Sequence, residues 1–308
     1  KIVVDASGVN SIIRRNLNSK YIERNLKTNE IMMCYREIRK FNMNSEYCNI
    51  YLDNELTKGG YVWEFPEDDR VNIGLGVAYP LKPKERYELY LKNTKINDSE
   101  ILNDDSGFGI VPTRKPINSL VDIIGNEKEK IGIMLVGDAA CQVNPLHGGG
   151  IATSMIGGYL AGKTILKIYK EKKFENNGIT LNDLWNYNVE YMRTEGAKNA
   201  SLDLFKIFLQ TLTNDQLNFG MSKKLIDEKD LIKISNNEEL NLGVIEKMLI
   251  VVKGVEDISM LKKMKFIAKK MKEIRKLYKE YPEHPEKFFE WKNKNEEIYK
   301  DVYEKLKF

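Results

Sequence analysis

The run Val136 to Ala161, VGDAACQVNPLHGGGIATSMIGGYLA, sets an acidic turn, Gly137-Asp138, ahead of three consecutive glycines, Gly148, Gly149 and Gly150. An ionised carboxylate only accepts hydrogen bonds, so Asp138 suits a ligand rich in hydroxyl donors. The glycines let backbone approach a ligand without side-chain obstruction, and a helix starting just after them aims its first amides at negative charge. The chemistry implied is the grip of a large anionic cofactor of nucleotide type. Taken singly, the glycines serve equally well as a turn, and Asp138 as a cap, in any strand-loop-helix unit. His147 lies in the same loop, either as a ligand contact or as a residue the loop merely tolerates.

A second group has a different character. Tyr61, Trp63 and Phe65 alternate along one segment, so in a strand all three rings point to one face while Val62 and Glu64 point to the other. Two readings stay open on spacing alone: an apolar wall for a ligand, or one sheet face packed on a helix.

The elements that must position these residues follow. Ile131 to Val136 is a short apolar run of the kind found in a covered parallel strand, which places Asp138 at a strand's carboxyl end, where such sheets bind ligands. Ile151 to Ile168 reads as a helix. Ala152, Ser154, Gly157, Gly158, Ala161 and Gly162 let it lie close against sheet or cofactor.

The sequence starts Lys1-Ile2-Val3-Val4-Asp5, already inside a strand, with no glycine-rich phosphate loop before it. Ile31 to Ile38, Cys48 to Leu52, Tyr61 to Phe65 and Val71 to Ala78 are β-rich runs separated by polar turns, with Pro83 to Lys95 as a helical insertion. From Leu181 the pattern is helical, with a loop at Asn236 to Glu239 and a break at Pro282 to Pro285.

VGDAACQVNPLHGGGI resembles the second flavin-binding signature of the geranylgeranyl reductases, a branch of the flavoprotein group that includes para-hydroxybenzoate hydroxylase. Three further segments agree in order. IVVDASGVNSIIRR (Ile2 to Arg15) resembles the family's internal DG motif, GGYVWEFP (Gly59 to Pro66) its aromatic YxWxFP motif, and GIVPTRKPINSL (Gly109 to Leu120) its strand leading to the GD motif. The resemblance implies FAD as cofactor, with Asp138 on a ribityl hydroxyl and Pro145, His147, Gly148, Gly149, Gly150 and Ile151 beside the isoalloxazine. It adds Asp5, Gly8 and Gly137 to the cofactor contacts, while Arg14 reads as an exposed, solvated arginine.

The same resemblance makes Tyr61, Trp63, Phe65 and Pro66 the lining of an isoprenoid tunnel, with Tyr61 a candidate catalytic proton donor. Lys58 stands where the family carries proline. The implied activity is reduction of C=C bonds in geranylgeranyl chains of archaeal membrane lipid precursors, fed by an external donor of the ferredoxin, nicotinamide or deazaflavin class. Two alternatives are a flavin-dependent monooxygenase or halogenase of an aromatic substrate, and a non-catalytic fragment lacking the ADP-binding half.

The expected fold is α/β (α+β). A partial FAD-binding Rossmann-like layer occupies 1–28 and 105–180, an antiparallel β-sheet substrate domain 29–104, and a C-terminal helical region 181–308.

Composition bounds these readings. At 308 residues the chain is long enough for two domains with a sizeable core. Its 49 Lys and Arg nearly cancel 45 Asp and Glu, which does not indicate a nucleic-acid partner. Cys34, Cys48 and Cys141 have neither CxxC nor metal spacing, and two histidines are little material for a metal site. A cytoplasmic setting follows, with peripheral membrane contact as one option. The surface for it is Ile258 to Tyr281, where Leu261, Met264, Ile267, Met271, Ile274, Leu277, Tyr278 and Tyr281 recur at helical spacing. The other reading of that stripe is packing on its own domain.

Overall fold

The computed structural model describes residues 1–102, 106–126, 129–173, 178–222 and 258–308. They form two compact units. The first comprises Lys1–Leu26, Pro112–Phe208 and the described part of Lys223–Phe308; the second comprises Lys27–Val111 and Leu209–Ser222.

The first unit is built on a three-stranded sheet in which β8 (Lys130–Leu135) lies between β1 (Ile2–Asp5) and β7 (Val121–Gly125). β8 runs parallel to β1, with Val3 opposite Ile133, but antiparallel to β7, with Ile123 opposite Gly132. The expected covered parallel strand is therefore central and buried, yet its sheet is mixed. The cause is local: Gly125 sits at φ 104 and the Asn126 amide donates to Glu129 O, closing a hairpin that only antiparallel strands can share.

The segment Gly109 to Leu120, expected as one strand, is divided. β6 (Gly107–Val111) belongs to the second unit's sheet, and the chain re-enters the first unit at Pro112 as irregular, buried backbone.

After β8 come a 3-10 turn (Gly137–Ala140) and the helix α3 (Ile151–Lys170). α4 (Leu181–Tyr191) packs on α3 and on β7, and a π-helical turn (Met192–Gly196) joins it to α5 (Ala197–Leu209). The short α1 (Ile12–Asn16) follows β1.

C-terminal helices α7 (Ile258–Lys279) and α8 (Phe288–Leu306) pack on each other within this same unit. Met264, Ile267, Met271, Ile274, Tyr278 and Tyr281 are all buried, so the apolar stripe is core and not a membrane face. The side chain of Leu261 and the loop Asn236 to Glu239 lie outside the described residues. An aromatic cluster explains the burial: Trp291 meets Tyr281 and Tyr278 at 4.6 and 5.0 Å, and Trp185 stacks on Tyr281 at 5.9 Å. Trp185 Nε1 donates to Pro282 O at 2.9 Å, so the proline break is itself a docking point. Among the described residues no helix is long and apolar enough to cross a membrane.

The second unit is an antiparallel sheet, in the order Asn49–Tyr51 (β3), Val62–Glu67 (β4), Arg70–Ala78 (β5), Met32–Arg39 (β2) and β6. The helix α2 (Pro83–Leu91) covers one face and α6 (Asn214–Ser222) also belongs here. Val71, Ile73, Leu75 and Val77 alternate inward beneath α2 and join Val62, Tyr35, Tyr87 and Leu91 in one core. Burying each such aliphatic side chain stabilises by about 1.5–3 kcal/mol. Two buried carboxylates on this side are fully partnered. Glu37 accepts from Tyr35, Tyr87 and Arg39, and Glu64 from Tyr90 and Tyr51.

Candidate functional site

In the first unit, the strand end, the acidic turn and the start of α3 form one cradle. Gly137 sits at φ 68, a left-handed conformation that favours glycine, and its amide donates to Gln142 Oε1 at 2.8 Å. Asp138 follows it. Burial alone lifts the Asp138 carboxyl above its ordinary range, and no donor among the described residues meets it.

Across the cradle, Gly150 is the N-cap of α3 and brings no side-chain cap, so the first amides of the helix are left for a ligand. A Cβ on Gly150 would stand 3.3 Å from Asp138 Oδ1 and 3.2 Å from Val143 Cγ2. The space between turn and helix is thus one that a side chain at Gly150 would fill.

The loop between them is closed on itself. The Gly148 amide, at φ 75, donates to Asn144 O, and the Asn144 amide to Gly149 O. His147 is held in the loop: its Nδ1 accepts from the Gly149 amide at 3.0 Å, and burial pushes the imidazole below its ordinary pKa, so the neutral ring is favoured. Pro145 is buried, whereas Ile151 is 83% exposed. Cys141, which sequence alone leaves structural, is buried at φ 55 behind the turn.

The first motif forms a hydrogen-bonded turn of its own. Asp5 is buried and its oxygens are already engaged, by Ser7 N at 3.0 Å, Ser7 Oγ at 2.5 Å and Ser11 Oγ at 2.5 Å. Burial pushes this carboxyl up, but the hydrogen bonds from Ser11 and Ser7 outweigh it and hold it below its usual range. Asp5 therefore shapes the turn around Gly8, which sits at φ 80 with open space about it. Nor is Arg14 exposed: it is 1% accessible and its guanidinium donates to Val9 O and Arg24 O at 2.9 Å each, clamping two loops.

In the second unit, Tyr61, Trp63 and Phe65 share the sheet face opposite α2, with ring centroids 5.9 and 6.4 Å apart in sequence. Val62 and Glu64 point into the core beneath the helix, so helix packing does not explain the rings, which are only half-buried. Their floor is narrow-sided. Trp63 pairs with Gly74 on β5, where a Cβ would stand 2.4 Å from Cζ2, and Gly76 lies against Cys34 Sγ.

Burial, with the Cys34 thiol as a lesser influence, pushes the Tyr61 hydroxyl up to about 12, and burial pushes Cys34 to about 11. Both keep their protons at neutral pH. Pro66 ends the ring series opposite Val71. Lys58 sits at φ 39, a value closed to proline, and it opens a turn completed by Gly59 at φ 80. The departure from the motif is a change of turn.

Several residues that build the cradle escape the motif reading. Gln142, Tyr187 and Thr153 carry its hydrogen bonds, and in the first motif Ser11, a serine just before a short helix, bears a recognisable capping signal. Among the described residues, no group of three or more His, Cys, Asp or Glu is placed to hold a metal.

A strand whose carboxyl end meets an acidic turn and a helix start, in one chain with an antiparallel sheet bearing an open aromatic face, defines a two-unit α/β protein. The family model for the geranylgeranyl reductase catalytic domain matches residues 30–108, the span that includes the aromatic face. The digeranylgeranylglycerophospholipid reductase of Sulfolobus acidocaldarius is 35% identical over 97% of this chain, and the chain covers 65% of that protein, just under two thirds of its length.

A geranylgeranyl bacteriochlorophyll reductase-like protein from Thermoplasma acidophilum has a similar fold, with a TM-score of 0.63 at 20% identity over 89% of this chain and 62% of that one. A myxobacterial chondrochloren halogenase, an FAD-dependent enzyme, aligns with a TM-score of 0.50 at 14% identity, over 90% of this chain and 61% of that one. By these comparisons the chain is similar to members of the geranylgeranyl reductase family.

Proposed function

We propose that this chain is the catalytic part of an FAD-dependent reductase that saturates C=C bonds of geranylgeranyl chains in archaeal membrane lipid precursors. The observation that carries the reading is the pairing of a partnerless, desolvated Asp138 carboxylate with the uncapped start of α3 across a cleft kept open by Gly150. Such a pairing fits a flavin on both counts. Asp138 would accept from a ribityl hydroxyl, and the amides of Ile151 and its neighbours would face the ring end, where negative charge accumulates on reduction. When bound, reduced flavin supplies the hydride equivalent that, together with a proton, saturates an alkene.

The chain's own residues do the rest. Gly148, Gly149 and the His147 ring hold the loop at the helix start, and Gly137 presents Asp138. In the other unit, Tyr61, Trp63 and Phe65 offer an apolar face for an isoprenoid chain and exclude water from it. Tyr61 holds its proton at neutral pH and is the candidate donor. An external donor of the ferredoxin, nicotinamide or deazaflavin class supplies electrons. The monooxygenase or halogenase alternative has only likeness of fold on its side, whereas the family match includes the aromatic face itself.

Titrating the purified chain with FAD and with riboflavin, followed by flavin fluorescence and visible absorbance, tests the reading. Saturable binding of both is expected, since riboflavin carries the ring and ribityl chain that the cradle would hold. A chain that binds neither would contradict it.

A further inference from the structure

The structure assigns to Gln142 the role of positioning residue for the cofactor cradle, an inference that rests on the flavin reading above. Gln142 is fully buried and lies behind the cradle, so it touches no ligand. Its side chain nevertheless ties three elements together. Oε1 accepts from the Gly137 amide at 2.8 Å, and Nε2 donates to the Tyr187 hydroxyl at 2.8 Å, which in turn donates to Leu135 O at 2.9 Å. The Gln142 carbonyl accepts from Thr153 Oγ1, in the first turn of α3, at 2.5 Å. Strand end, acidic turn and helix start are therefore registered through one residue.

Space enforces the same registration. A Cβ on Gly157 would stand 2.0 Å from Gln142 Oε1, 2.7 Å from Cδ and 2.9 Å from Nε2, so α3 approaches the turn as closely as a glycine allows. The amide that donates to Gln142 belongs to the residue before Asp138, and the helix that packs on Gln142 is the one whose N-cap, Gly150, lies beside Asp138. Moving the glutamine would change the separation between the carboxylate and those amides, the two groups that must bracket one ligand. Buried polar groups that are fully satisfied define such a geometry more sharply than apolar packing does.

Gly157→Ala separates this role from simple stability. Alanine is the better helix former, so if the helix alone mattered the melting temperature would hold or rise and flavin binding would be untouched. The expected result is a lower melting temperature, because the new methyl meets the buried Gln142 side chain, with riboflavin and FAD affinity of the folded variant weakened about tenfold and a changed visible spectrum of any flavin that binds. In the double variant Gln142→Ala/Gly157→Ala the steric conflict is gone but so is the hydrogen bond to Gly137. Affinity should stay low.

Wild-type affinity in either variant would overturn the inference while leaving the flavin reading intact. If the wild-type chain binds no flavin, the functional reading fails instead. The inference is then judged by hydrogen exchange in Gln142→Met, which keeps volume and loses polarity. Faster exchange confined to the Gly137 amide and the first turn of α3 supports it, and unchanged exchange there overturns it.

Discussion

Trp63 lies across Gly74 of the neighbouring strand so closely that a Cβ on the glycine would stand 2.4 Å from Cζ2 of the indole. The indole Nε1 donates to Asn72 Oδ1 at 3.0 Å, which holds the ring beside the glycine. A glycine in a strand interior ordinarily weakens the strand; here the tryptophan covers it. Gly74→Ala should therefore push the indole off the sheet and disrupt the apolar face, and because the same Cβ would stand 2.6 Å from the backbone oxygen of Tyr35 it should also cost stability. We expect reductase activity on a geranylgeranyl lipid to fall about tenfold or more, chiefly through KM, because a misplaced wall weakens substrate positioning. Ile73→Ala, on the other face of the same strand, should leave the ring face in place and act through stability alone, with a loss of about 2–5 kcal/mol in denaturant unfolding.

Asp138→Asn should separate ligand binding from folding. The carboxyl of Asp138 titrates above its ordinary range because burial penalises the anion, so above the unfolded-state value of 3.8 its ionisation opposes folding of the ligand-free protein. Removing the charge is expected to raise the melting temperature slightly at neutral pH. Flavin affinity should drop about 10- to 100-fold, the loss of one charge-assisted hydrogen bond. Calorimetry and fluorescence titration on the same preparation measure both.

How much of this was legible depends on the element. The GD turn, the triple glycine and the alternating rings are local patterns, and the structure places Asp138 beside Gly150 and the three rings on one face. Arg14 illustrates what was not legible: on a short helix it reads as solvated, and only the return of the chain at Val9 and Arg24 buries it. Asp5 carries the motif's carboxylate, but Ser7 and Ser11, two and six residues on, occupy it. Ile258 to Tyr281 has the spacing of a membrane-surface helix, and the aromatic residues that cover it come from α4 and α8. Gln142 carries no motif signal at all, because its partners Gly137, Tyr187 and Thr153 are scattered along the chain.

The ion pair between half-buried Glu23 and buried Arg114, at 2.8 Å, should govern acid stability. Burial opposes the Glu23 anion, but Arg114 and then Lys115 outweigh it and lower its pKa to about 2. A carboxylate with a depressed folded-state pKa contributes stability that is present above its unfolded value of 4.5 and is lost as pH falls toward about 2. Glu23→Gln should cost about 3 kcal/mol at neutral pH by taking the carboxylate away from the buried Arg114 guanidinium, and should flatten the stability profile across that acid window. Urea unfolding at a series of pH values measures it.

His147 should titrate below its ordinary value of 6.5, since burial disfavours the charged ring. A histidine held neutral in the fold contributes stability that is present above 6.5 and is lost as pH falls below it. With only His147 and His284 in the chain, two imidazole resonances suffice to follow this by NMR. The expected pattern is one depressed titration, absent in His147→Gln, with the Gly149 amide signal moving in step as its bond to Nδ1 breaks.

The central claim is reduction of an isoprenoid double bond at a flavin held by this chain. Its most direct test is mass spectrometry of a digeranylgeranylglyceryl lipid after incubation with the flavin-loaded protein under dithionite. The account predicts products heavier by a pair of hydrogens for each double bond saturated, and loss of those products in Asp138→Asn. A lipid recovered at unchanged mass from protein that demonstrably carries reduced flavin would contradict it.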